Sequence, residues 1–237
     1  MGIINMDSLK GQVLHMRKLY HYILCPFSRK VRIVLGEKKL EFDHVLVRPW
    51  EQNPELLRLN PEGLVPVLVD EDGQAFSNSY AITEYLDEVY FEPHLLGESA
   101  AQRAETRRLV AWFDEKFNAE VTHNIVYEKA LKRKMGHGSP DTASIRAGNA
   151  HIHDHLEYIA WLCERRNWLA GNNFSLADIA AAAHLSCIDY FDDVPWSKHI
   201  EAKEWYARVK SRPSFRGVLS DVVPAITPSA QYADLDF

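Results

Sequence analysis

The chain has 237 residues, 46% of them hydrophobic and 25% charged, with a net charge of −6. This is the composition of an ordinary globular protein with room for one large or two small domains. The acidic balance excludes a global basic field for nucleic acid or an anionic membrane. No apolar run approaches the roughly 20 residues of a spanning helix. Cys25, Cys163 and Cys187 are too few and odd in number for a disulfide framework, and they fit a reducing cytoplasm.

Residues 1–15 lack the apolar core and cleavage pattern of a secretory signal. They read as a disordered leader or an over-called start, with Met16 the beginning. Leu19 to Leu24 is rich in aromatic and branched residues and reads as a buried strand. Cys25-Pro26 ends it. Phe27, Val31, Val34 and Leu35 then share one helical face, with Arg29, Lys30 and Arg32 turned elsewhere. Cys25 therefore sits where a strand hands over to a helix, just before a proline suited to the first helical position. Unpaired N–H groups and the positive helix end there would lower the thiol pKa. The other reading of such a cysteine is a small buried hydrophobe. Ser28 stands where a Cys-x-x-Cys pair would have its second sulfur, so internal disulfide exchange is not available.

Phe42 to Val47 reads as a second strand, and Arg48 to Pro54 as a loop with an exposed Trp50 held between prolines. A short helix follows over Pro54 to Leu59. Proline cannot donate to a central ladder, so Pro66 is expected to start the strand running on to Val69, with a cis bond after Val65. Asp72-Gly73 marks a hairpin. Asn78 and Ser79 lead a helix whose inner face carries Ile82, Tyr85, Leu86 and Val89. Strand–helix–strand followed by hairpin–helix makes a small α/β unit with a mixed sheet.

Strand signals stop there. The resulting division is 16–92 for the α/β domain, 93–99 for a linker, 100–215 for an all-helical domain and 216–237 for an extended tail. Leu109, Trp112, Phe113, Phe117 and Val121 predict a long amphipathic helix, broken by Gly136 to Pro140. Ser175 and Asp178 form a capping box, and the alanines 180–183 that follow suit the centre of a bundle. Trp161, Trp168, Trp196 and Trp205 read as core or domain-packing residues. His151 and His155 have the i, i+4 spacing of zinc ligands, but no third ligand is fixed, so a titratable exposed face is expected and no metal.

Cys25-Pro26-Phe27-Ser28, Val65-Pro66-Val67-Leu68, the stretch Ser79 to Leu86 and the Ser175/Asp178 box together resemble the glutathione S-transferase superfamily. The resemblance implies a thioredoxin-like α/β domain followed by an all-α one. It implies Cys25 (Ser28 as the alternative) as the activating residue. Val65, before the cis Pro66, would pair its backbone with the cysteinyl part of glutathione, and Ser79 would receive the γ-glutamyl carboxylate at a helix N-terminus. Many members carry Glu or Gln where this chain has Asn78, a neutral partner for the ligand's ammonium, so low glutathione affinity is expected.

The ending, with Arg48-Pro49-Trp50-Glu51, is similar to the FtsZ-associated, transferase-like division proteins of alphaproteobacteria. That resemblance implies a cytoplasmic homodimer that binds FtsZ filaments at the division site, promotes constriction and has little transferase activity. Trp50 and the tail residues Asp234, Leu235 and Phe237 would be contacts, and Lys129, Lys132 and Arg133 could meet an acidic partner. The tail equally suits packing over its own helical domain, and a basic run is often only a solvated face. The alternative function is an active transferase or a glutathione-dependent thiol reductase working through Cys25.

Overall fold

The computed structural model describes residues 15–235. The reading of residues 1–14, like that of Phe237, lies outside them. Strands β1 (Lys18–His21), β2 (Asp43–Leu46), β3 (Val67–Val69) and β4 (Ala75–Ser77) form a four-stranded sheet in the order β2-β1-β3-β4. β1 runs parallel to β2 and antiparallel to β3, in the register Leu19 opposite His44 and Leu68. Alternation along β1 separates two cores. Leu19 and Leu68 join the main core with the helices, and Tyr20 and Val67 pack on Leu56 of α2 (Pro54–Leu59). This is a thioredoxin-like arrangement. The Val65–Pro66 bond is cis, as expected, and so is Glu92–Pro93, which the sequence reading did not anticipate.

Helix α1 (Pro26–Glu37) follows β1, and α3 (Ser79–Val89) follows β4. From α3 onward the chain is helical: α4 (Ala100–Ala111), α5 (Thr142–Cys163), α6 (Leu176–Asp189), α7 (Ile200–Lys210) and the short α8 (Arg216–Leu219). α4 runs without a break into Trp112–Leu131, which is π-wound. Among its buried residues, Phe113, Phe117, Val121, Ile125 and Ala130 follow one another at three spacings of four and one of five. That spacing suits the wider turn of i→i−5 bonds, of which Lys132 N–H to Tyr127 O at 2.8 Å is one.

Helix α6 is the centre of the second domain, with all 14 residues buried. The expected capping box is present, and Asp178 does more than cap. It also accepts the Leu169 N–H at 3.0 Å and the Trp205 Nε1–H at 2.9 Å. α1 lies between the domains, against α3, α6 and the turn Pro213–Phe215. This corrects the amphipathic reading of α1. Arg29, Lys30 and Arg32 are buried with the apolar face, because each finds a partner across the domain boundary: Ser186, Asp114 and Asp221.

The tail packs over its own domain for most of its length. Val223 and Tyr232 are buried, and Tyr232 donates its hydroxyl to Val218 O at 2.7 Å. Lys210 donates to Gln231 O at 2.9 Å and Asp234 O at 2.6 Å. Residues 221–235 therefore form a docked strap. Trp196 and Trp205 are core residues, but Trp161 is 48% exposed and lies against the Arg165 guanidinium, so its core reading is corrected.

Candidate functional site

Cys25 is the N-cap of α1, with Pro26 at the first helical position. It lines a cleft of about 880 Å³ between the two domains, within the range of small-molecule sites. The thioredoxin-like wall carries Tyr22, Cys25, Trp50, Leu64 and Val65. The facing wall comes from the π-wound segment and the loop after it, with Thr122, His123, Tyr127, Met135 and His137. Tyr127 OH and His137 Nδ1 are 2.9 Å apart, and the His123 and Tyr127 rings stack 4.8 Å apart.

Desolvation controls the thiol. Hydrogen bonds from Ser28 and the Phe27 backbone, and the nearby Arg29 charge, all favour the thiolate, as the helix N-terminus should. Burial outweighs them and pushes the Cys25 pKa up. The expected lowered pKa is thereby corrected. Tyr22, pushed up to about 12, and Cys187, pushed up to about 11, are neutral neighbours. Ser28, the alternative nucleophile, is wholly buried, with its hydroxyl 3.4 Å from the Tyr22 N–H.

A second cavity of about 360 Å³ adjoins the first through Phe27, Glu62, Leu64 and Val65, which line both. Pro66, Asn78 and Ser79 line it, with Asp114 and Glu115 from the helical domain. Val65, Pro66, Asn78 and Ser79 are thus brought together beside Cys25. Asn78 is already engaged: it caps α3 by accepting the Tyr80 N–H at 2.9 Å, at a φ of 70°.

The other residues singled out from the sequence are scattered. Trp50 is half-buried in the cleft wall, edge-on to Tyr22 at 5.2 Å, rather than exposed. Lys129 pairs with Asp193, and Lys132 with Glu128 at 2.9 Å, whereas Arg133 is exposed. Asp234 and Leu235 are exposed at the end of the strap. His155 contacts Trp112 and Glu120, while His153 faces His199 at 2.8 Å, so the histidine cluster diverges. No metal-holding group occurs among the described residues, and none of their helices is long and apolar enough to cross a membrane. The cleft wall from Thr122 to His137 was missed in the sequence, where the i, i+4 pair His123 and Tyr127 is the one available signal.

Two family models match, glutathione S-transferase N-terminal domain over residues 24–89 and glutathione S-transferase C-terminal domain over 144–213. The chain is 50% identical to FtsZ-localized protein A of Caulobacter vibrioides, over 93% of this chain and 98% of that one. It is 31% identical to a maleylacetoacetate isomerase of Pseudomonas aeruginosa, over 73% and 82% of the two chains. A crystal structure of a glutathione S-transferase from Rhodospirillum rubrum superposes with a TM-score of 0.92 at 58% identity, covering 94% of this chain and 100% of that one. The structure of FzlA from C. crescentus superposes at 0.91 with 50% identity, and its coverage is the same. The chain belongs to the glutathione S-transferase family.

Proposed function

We propose that this protein is a transferase-fold binding protein that engages FtsZ filaments, with the exposed end of the C-terminal strap as part of its contact surface. The observation that carries the reading is the 50% identity to FtsZ-localized protein A, which extends over 93% of the chain and so includes more than the catalytic fold. The strap supports it locally. Its inner residues are anchored, and that presents Asp234 and Leu235 at low ordering cost, an apolar anchor beside a charged rim. Of the basic run, Lys129 and Lys132 are paired with Asp193 and Glu128, so the exposed Arg133 is the residue that offers positive charge to an acidic filament. Trp50 and Phe237 complete the proposed contact set. The protein acts in the cytoplasm at the division site, as a homodimer, and supports constriction. Co-sedimentation with polymerised FtsZ tests the reading, and failure to pellet with filaments would end it.

A second reading is favoured by the paired cavities. The cleft with Cys25 at its wall and the smaller cavity lined by Val65, Pro66, Asn78 and Ser79 would accommodate glutathione beside an apolar co-substrate, for conjugation or thiol transfer. Two features weaken it: the raised Cys25 thiol and the Asn78 amide oxygen, which already accepts the Tyr80 N–H of its helix cap. Poor retention on glutathione resin and slow turnover of a chlorodinitrobenzene-type substrate are therefore expected. Tight retention with rapid turnover would make catalysis the primary role.

A further inference from the structure

A buried polar chain stands behind the helical wall of the cleft. Thr122 lines the cleft, 3% exposed, and its Oγ1 lies 2.9 Å from His184 Nδ1. At the other end of that ring, His184 Nε2 stands 3.4 Å from Asp114 Oδ1. Among the described residues neither of these two atoms has a hydrogen-bond partner elsewhere. Asp114 Oδ2 accepts from Lys30 Nζ. Phe27 and Phe117 close on the imidazole edge-on, at centroid distances of 5.4 and 5.8 Å.

The order of donors along this chain follows from Asp114. Lys30 and His184 outweigh burial and hold the Asp114 pKa below its ordinary value, so it is a carboxylate. Burial keeps His184 neutral, and a neutral imidazole carries one N–H. A carboxylate can only accept, so that N–H sits on Nε2 and Nδ1 is left with its lone pair. Thr122 must then donate its hydroxyl proton inward to Nδ1. What its oxygen can offer the cleft is a lone pair.

We infer that Thr122 is a specificity-determining acceptor in the cleft, held in that role by His184 and Asp114 as positioning residues, and that the co-substrate taken there is an apolar ring compound carrying a hydrogen-bond donor. The aromatic walls, with Tyr22, Trp50 and Tyr127, suit a ring. A ligand that turns a carbonyl or nitro oxygen towards Thr122 sets lone pair against lone pair and loses the bond. The inference rests on the second reading above, in which the cleft holds a co-substrate, and not on FtsZ binding.

The test is equilibrium dialysis of the full chain against two bicyclic probes of similar size: indole, which only donates, and indanone, which only accepts. The unmodified protein is expected to bind indole about three- to tenfold more tightly, as one hydrogen bond gained or lost implies. Thr122→Val is expected to remove the preference and Thr122→Ser to keep it. Asp114→Asn is expected to reverse it. Lys30 holds the carbonyl oxygen of that amide, so its amino group turns to Nε2 and the ring proton moves to Nδ1. The Thr122 hydroxyl is then free to donate into the cleft. Heteronuclear NMR of the His184 ring nitrogens, assigned by their loss in His184→Gln, reads the same change without a ligand: Nε2–H in the unmodified protein and Nδ1–H in Asp114→Asn. If Asp114→Asn fails to fold, the Thr122 pair and the tautomer of the unmodified protein still decide. Equal binding of the two probes, a preference that Thr122→Val or Asp114→Asn leaves unchanged, or a native ring protonated at Nδ1 would overturn the inference alone. Failure of both probes to bind would overturn it together with the co-substrate reading.

Discussion

Several protonation states in this molecule are set by burial, and at His21 the neighbouring charges act in the same direction. His21 is 1% exposed in β1, with Nε2 3.0 Å from His44 Nδ1. Desolvation, then the Arg32 charge and His44, lower its pKa from 6.5 to about 3. The folded state therefore needs the neutral ring. That contribution to stability is complete above pH 6.5 and is lost as the pH falls towards 3, at roughly 1.4 kcal/mol per pH unit across the window. His44, His155, His184 and His199 are lowered by burial as well, so urea unfolding at pH 7 and pH 5 is expected to show at least this loss, and His21→Leu to reduce it. Asp178 is the second test at this scale. It takes donors from Ser175, Leu169 and Trp205 in a fully buried site. Asp178→Ala orphans those donors and is expected to cost about 3 kcal/mol or more, read from the urea midpoint.

At the scale of elements, close approach explains residue choices that propensity does not. Gly148 lies inside α5, where alanine would ordinarily gain about 1 kcal/mol. A Cβ there would stand 2.8 Å from Ile125 Cγ1, and Ile125 is fully buried with no room to retreat. Overpacking costs about 1–3 kcal/mol, so Gly148→Ala is expected to destabilise by about 1 kcal/mol in thermal or urea unfolding. The same logic separates what could be read from the sequence and what could not. The strand–Cys25–Pro26–helix junction, the hairpin at Asp72-Gly73 and the Ser175/Asp178 box were legible because each is written within a few residues and has a local mechanism. The burial of Arg29 and Arg32 was not, because a carboxylate 189 positions past Arg32 makes it possible. Docking of the strap was one of two readings the sequence left open, and its contacts were hidden. Its prolines excluded a helix correctly, but Tyr232 finds its cover on Tyr190 and Val218, which only the folded chain brings near. The far wall of the cleft escaped notice because its residues belong to the other domain and carry no motif.

Across the whole molecule, α1 is the shared part. Its first residue faces the cleft, its arginines hold the strap, and its Lys30 and Glu37 tie it to Asp114 and Arg212 of the helical domain. A fold built this way resists separation of its halves, so a single cooperative unfolding transition is expected from both tryptophan fluorescence and far-ultraviolet circular dichroism. Non-coincident curves would show that the domains unfold separately. The proposed binding role depends most on the strap's end, and Trp50 is the contact it takes from the cleft wall. Leu235 is 41% exposed, so its replacement leaves the core packing intact.

Co-sedimentation of the full chain with polymerised FtsZ, comparing the unmodified protein with Leu235→Lys and Asp234→Lys, is therefore the most direct test. The account predicts that the unmodified protein pellets with filaments and that either substitution, in a protein still folded by circular dichroism, reduces the bound fraction at least tenfold. Absence of pelleting by the unmodified protein, or pelleting untouched by both substitutions, would contradict it.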